Sequence, residues 1–216
     1  MDVSDKLVQF IVKGRLQLLE TQAMLATYYP TVHDKKCPAC GFTPDTTSHV
    51  LGSCRAFRTM YIERHDRTVD HIHDQIMKCT GHKHNQILKN KCIIGPMFGA
   101  EPFLGIQHNK PDICIIDNRL KECTIVEVSH PYDAFIETCY NHKFDKYMEL
   151  CLHIQESGYR CTIIVLVIGS LGLVHHRFVS GMCKIGFNKA VAKGIAKYLS
   201  ISSSIGSRRV WRRRQR

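Results

Sequence analysis

Two apolar runs separated by a short polar stretch, ICII at 113–116 and CTIVEV at 123–128, constrain this chain more than any other feature. Neither run alternates cleanly between apolar and polar residues, so a strand built from either has two faces to bury and needs helices over both. Asp117, Asn118 and Arg119 between them supply turn chemistry, and the pair reads as a hairpin. A third run, TIIVLVIGSLGLV at 162–174, is too short to span a bilayer and is broken by Gly169, Ser170 and Gly172. It reads as a central buried strand over 160–168 followed by a turn, and no membrane association is expected.

Helical spacing fills much of the rest. Helices are expected over about 1–27, 55–78, 132–157 and 187–200, the third with an apolar stripe of Ile136, Tyr140, Phe144, Tyr147, Cys151 and Ile154. The order predicts an α/β fold with a mixed sheet flanked by helices. Four stretches follow: a helical linker at 1–36, a cysteine-histidine segment at 37–54, the main domain at 55–200 and a basic tail at 201–216. The Ser-rich run 200–207 reads as a linker, and RRVWRRRQR behind it as a solvated, mobile end.

Charge narrows the partner. The formal net charge is +11 in 216 residues, and six arginines fall within the last nine. Such a concentration points to an anionic partner, with Arg208, Arg209, Arg212, Arg213 and Arg214 contributing phosphate affinity without sequence specificity. Trp211 among them can stack on a base. Eleven cysteines, many inside apolar runs, suit a reducing compartment in which most act as small buried hydrophobes. MDVSDKLVQF has early acids and no long apolar core, so no secretory leader is expected.

Two sets of residues carry chemistry. Cys37, Cys40, His49 and Cys54 have the spacing C-x2-C-x8-H-x4-C, in a loop-rich segment with few apolar residues to stabilise it. Thiolate ligands favour zinc, and a four-ligand set predicts a structural site. The second set begins with Glu127, a carboxylate flanked by Ile125, Val126 and Val128, where burial is costly unless the charge is paired or holds a cation. Asp112 heads the first strand. Its bland role is a turn cap after Pro111, but antiparallel pairing carries it to the sheet end occupied by Glu127. Two converging carboxylates suit Mg2+ or Mn2+, and Lys143 or Lys146 on the next helix can reach the same end. The stretch ERHDRTVDHIHD at 63–74 reads as a solvated face with i,i+4 pairs, as a loose second metal site from His65, Asp66, His71 and His73, or as a surface facing nucleic acid. Asp133 and Glu137 read as acids placed at a helix N-terminus.

The arrangement P-D-x14-E-V-S resembles the PD-(D/E)XK nucleases. More specifically, the cysteine-histidine knuckle, HVLGSC, RHDRTVD, KPD, the spaced acid and KFDKY occur in the order found in the restriction-like endonuclease region of site-specific non-LTR retrotransposons. The resemblance spans about residues 15–170, including RLQLLETQAML as the linker before the knuckle. It implies a restriction-endonuclease-like fold and a Mg2+-dependent DNA endonuclease that nicks its target in the nucleus, with DNA, or RNA, as partner. Ser129 stands where most PD-(D/E)XK nucleases have lysine, and in this branch the catalytic lysine lies on the following helix. By position Asp112 and Glu127 would hold the metal, Lys143 would be the catalytic lysine with Lys146 behind it, and Tyr147 would pack beside them. Arg64, His65 and Asp66 would engage DNA, and Cys37, Cys40, His49 and Cys54 would form the zinc knuckle. Full-length elements of this kind carry a reverse transcriptase, whose paired-aspartate motif has no counterpart here, so the chain is expected to be a C-terminal piece or a free-standing copy. Two other functions compete: an inert nucleic-acid-binding module and a junction-specific nuclease.

Overall fold

The structure, a computed structural model, describes residues 4–31, 34–42, 44–78, 85–92 and 106–215. Four strands form one sheet in chain order: β1 (Gln86–Lys89), β2 (Ile113–Asp117), β3 (Glu122–Ser129) and β4 (Arg160–Val167). β1 with β2 and β2 with β3 are antiparallel, while β3 and β4 are parallel. The expected hairpin is therefore β2–β3, and the parallel step is crossed by helices α5 (Ile136–Lys146) and α6 (Met148–Glu156). β1 went unforeseen, since its four residues, QILK, carry too little pattern to stand out.

Both sheet faces are covered, as the unbroken apolar runs require. On one side Ile113, Ile115, Val126, Val128, Ile164 and Leu166 pack with residues of α4 (Arg58–Lys78), α7 (Phe178–Ile185) and α8 (Lys189–Arg214). On the other, Cys114, Ile116, Cys123 and Ile125 meet Tyr147, Leu150 and Ile154, while Tyr140 packs on Val165 and Val167. A further cluster joins α1 (Asp5–Arg15), the cysteine-bearing segment and the end of α8 through Leu7, Phe10, Val50, Leu51, Val210 and Trp211.

Several helix boundaries differ from expectation for local reasons. The first helix stops at Arg15, Gln17 turns to φ 60°, and α2 (Gln22–Tyr28) begins afresh where the Thr21 hydroxyl accepts from the Met24 amide at 3.2 Å. The helix expected over 132–157 is a 3-10 turn followed by α5 and α6, broken at Tyr147 (φ −105°, ψ 5°). That break turns the Tyr147 ring into the core.

The largest correction concerns the C-terminus. Residues 201–214 are neither linker nor mobile tail, for α8 runs unbroken from its Asn188 cap to Arg214. Its serines are small polar residues used for close approach: Ser203 donates to the Gly169 carbonyl at 2.9 Å, and Ser207 accepts from Arg64 at 2.6 Å. Trp211 is buried against α1, so it does not project as a free stacking ring. Arg214 is 7% exposed and forms a two-pronged ion pair with Asp45, which is fully buried. Removing one partner of such a pair leaves an uncompensated buried charge. Arg214→Ala is therefore expected to lower unfolding free energy by about 3–5 kcal/mol, read from urea midpoints. A change under about 0.5 kcal/mol, the range of ordinary surface substitutions, would restore the mobile tail.

Candidate active site and metal centre

The cysteine-histidine segment folds into one compact group. A bridge between Lys36 and Pro44 closes the loop, Gly41 takes the positive φ (75°) that the tight turn requires, and α3 (Thr47–Gly52) carries His49 back towards the thiols. Thr46 caps α3 by accepting from the His49 amide at 3.1 Å. Cys37 Sγ lies 3.8 Å from Cys54 Sγ, and Cys40 Sγ 3.4 Å from His49 Nε2; the four ligand atoms all fall within 4.8 Å of one another. Ser53 Oγ, 3.4 Å from His49 Nδ1, holds the ring from behind and leaves Nε2 towards the thiols. Burial pushes the Cys54 thiol up to about 12 and raises Cys37 as well. Ionising these thiols thus calls for a bound cation, and the group can hold a metal such as zinc.

At the far end of the hairpin, register decides the geometry. Ile113 pairs with Val126, so Asp112 lies one step beyond the ladder, opposite Glu127. Strand alternation puts Glu127 on the face covered by α5 and α6, while Asp112, just outside β2, is reached from α4. Asp112 Oδ2 accepts from the Val128 amide at 2.7 Å, fixing the carboxylate across the strand end. Glu127 is 2% exposed. Its Oε1 accepts from Lys143 Nζ at 2.6 Å and Lys146 Nζ at 3.3 Å, whereas Oε2 is buried without a hydrogen-bond partner. An orphaned buried oxygen costs stability unless something positive meets it, and that position suits a divalent cation. Asp112, Glu127, Lys143 and Lys146, singled out in sequence, are thus brought together.

The surroundings stabilise the charges. Burial disfavours the ammonium of Lys143, but Glu127 and then Asp112 outweigh it and raise its pKa. Tyr147, expected only to pack, receives a bond from Lys146 Nζ at 2.9 Å and donates to the Lys110 carbonyl at 3.2 Å. It so ties the segment before Asp112 to the lysine helix. His65 from α4 reaches Asp112 Oδ2 through Nε2 at 3.2 Å, while its Nδ1 meets Asp66 at 3.1 Å. Burial opposes charge on this ring, yet Asp112 and Asp66 hold its pKa at about 9. Burial likewise opposes the Asp112 charge, and the contact with His65 keeps that carboxyl below the usual range.

The other residues proposed to contact DNA separate. Arg64 is 4% exposed and bonds to Leu51 O, Ser207 and His130 O, so it ties three elements together instead of facing a partner. Asp66 stays exposed beside His65. The second metal site from His65, Asp66, His71 and His73 is not assembled: His71 stacks on Tyr198 at 4.3 Å, and His73 lies beside Asp74. Arg209, Arg212 and Arg213 are exposed on α8 and Arg208 half-buried, while Arg214 is spent on Asp45. Asp133 and Glu137 do more than complement a helix end. Asp133 accepts from the Leu171 amide and pairs with Arg15, and Glu137 meets His175 at 2.8 Å and His176 at 3.7 Å. The adjacent pair His175-His176 was the one sequence signal for that last group.

His130 ends β3 between Thr68 Oγ1 (3.0 Å from Nε2) and Ser203 Oγ (3.2 Å from Nδ1). Burial, with the charges of Arg64 and His65, pushes its imidazole well below the ordinary 6.5. The unfolded chain then takes up this proton first. The contribution to stability is whole above pH 6.5 and is lost as pH falls below it, by up to about 1.4 kcal/mol per pH unit. Urea midpoints at pH 7.5 and 5.5 should differ less in His130→Gln than in the parent; equal differences would contradict the assignment.

No family model matches the chain, and no curated protein matches it either.

Proposed function

We propose that the chain is a metal-dependent DNA endonuclease of PD-(D/E)XK type, like the restriction-like endonuclease region of site-specific non-LTR retrotransposons, acting in the nucleus to nick a target strand. The observation that carries the reading is the meeting of Asp112, Glu127 and Lys143 at one sheet end, with a buried Glu127 oxygen left unpartnered. A mixed sheet enclosed by helices and preceded by a cysteine-histidine group supports the restriction-endonuclease-like fold with a zinc knuckle.

Asp112 and Glu127 would hold Mg2+ or Mn2+, which when bound polarises a phosphodiester and lowers the pKa of an attacking water. The chain's own side chains do the remaining work. Lys143 sets a positive charge beside the carboxylates, where negative charge builds on the phosphoryl oxygens. Lys146 anchors Glu127 from the next helical turn and is itself fixed by the Tyr147 hydroxyl. His65 and the Val128 amide orient Asp112.

With Mg2+ the purified protein should nick duplex or branched DNA, and Asp112→Ala should abolish nicking. Equal rates for parent and variant would overturn the reading, and a strong preference for four-way junctions would favour the junction nuclease. One observation favours an inert binding module instead: Lys143 and Lys146 already neutralise Glu127 without a cation. In that case parent and Asp112→Ala bind DNA alike and neither cuts.

A further inference from the structure

The rigid end of α8 creates something that a mobile tail could not. Arg208 and Arg212, one turn apart, face Lys6 and Lys13, two turns apart on α1, across a cavity of about 390 Å³ whose floor includes Phe10 and Trp211. Among the lining residues Glu20 is the single acid, and none of the four cations is ion-paired among the described residues. Like charges spaced i,i+4 repel one another, and no acid of α1 is among the residues lining the cavity. The geometry is also held in place. Arg214 lies over the Trp211 ring, 4.8 Å from its centroid, and is fastened to Asp45, so the preceding arginines have a fixed direction.

We propose that this cavity binds one nucleotide of a single nucleic-acid strand, with the backbone phosphates against Lys6, Lys13, Arg208 and Arg212 and the base against exposed Leu18 and the small exposed parts of Phe10 and Trp211. A cationic rim over an apolar floor is the combination that single strands use, with phosphates giving affinity and bases gaining from aromatic contact without sequence preference. The volume falls in the range of small-ligand pockets. An acidic protein would meet the rim equally well but has no use for the apolar floor. The inference does not depend on the nuclease reading, because the cavity shares no residue with Asp112, Glu127 or the lysines of α5.

Trp211 is the chain's one tryptophan, so its emission reports the cavity directly. Titrating the full chain with a ten-residue oligothymidylate should quench that emission saturably. Lys13→Glu/Arg212→Glu should weaken binding at least about tenfold and flatten the slope of log affinity against log salt by about 1.4, the loss of two phosphate contacts on a single strand. Run without Mg2+, the titration reads binding alone, which separates failure of this proposal from failure of the nuclease one. Circular dichroism and zinc content check the fold. Should the double variant misfold, Lys13→Gln/Arg212→Gln replaces it with the same expectation. Oligonucleotide binding seen by anisotropy without any change in Trp211 emission, or unaffected by the variants, would overturn the proposal. Equal quenching by polyglutamate or by anionic phospholipid vesicles would overturn it too, in favour of an acidic protein or a membrane.

Discussion

Treating the protein with a strong chelator is expected to unfold the N-terminal third while the sheet keeps much of its structure. Structural zinc in small Cys/His sites contributes about 10–16 kcal/mol of apparent binding energy at neutral pH, comparable to the whole stability of an ordinary domain at about 5–15 kcal/mol. Beyond the centre, the segment 37–54 is held chiefly by the Asp45–Arg214 pair and by Arg64 on the Leu51 carbonyl. Val50 and Leu51 reach the cluster shared with α1 and α8, but the loop itself is Pro, Gly, Thr and exposed Phe42. Because Cys37 and Cys54 belong to the same cluster as Trp211, losing the centre should also loosen the end of α8. Trp211 emission should shift to the red, as a ring now 7% exposed enters water, and elemental analysis of untreated protein should find one zinc per chain. Cys40→Ala should reproduce the shift without chelator. Unchanged emission and an unchanged urea midpoint after chelation would show four clustered thiol and imidazole groups with no metal role.

The second large effect falls on the proposed nicking activity. Glu127→Gln keeps the size of the side chain but removes the charge that opposes Lys143 and Lys146. Nicking should drop by about 10³-fold or more, the scale on which one transition-state stabiliser acts, while stability falls much less because both lysines are about a quarter exposed and can be rehydrated. Lys143→Met should cost about 10²–10³-fold in rate. Lys146→Met should cost roughly tenfold or less, since Lys146 lies farther from Glu127 and also bonds to Tyr147. Rates measured under saturating Mg2+ on a nicked-plasmid assay check the order. A larger loss at Lys146 than at Lys143 would exchange their roles.

How far the sequence disclosed this molecule depended on whether the deciding contact was local. The β2–β3 hairpin and β4 were legible because apolar runs covered on both faces leave few alternatives, and register then carried Asp112 to Glu127 without further information. The grouping of Cys37, Cys40, His49 and Cys54 was legible because metal chemistry demands residue types at short spacing. The course of α8 was not. Serine and arginine favour solvent on average, and what overrides that preference here are partners far along the chain: Asp45 for Arg214, Gly169 for Ser203 and Arg64 for Ser207. Arg64 was misread for the same reason, since nothing near residue 64 announces the carbonyls of Leu51 and His130. Likewise the break at Tyr147 follows from its ring filling the core under β2 and β3, a tertiary demand that leaves the apolar stripe of 136–154 unchanged.

The whole proposal depends on a cation shared by the two carboxylates, and Mn2+ soaked into crystals tests that directly through its anomalous scattering. A single peak at about 2.0–2.3 Å from oxygens of both Asp112 and Glu127 is predicted, with Lys143 retained on Glu127 Oε1 and the peak lost in Asp112→Ala. Ordered carboxylates with no peak between them at millimolar Mn2+, or a peak that persists in the variant, would contradict it.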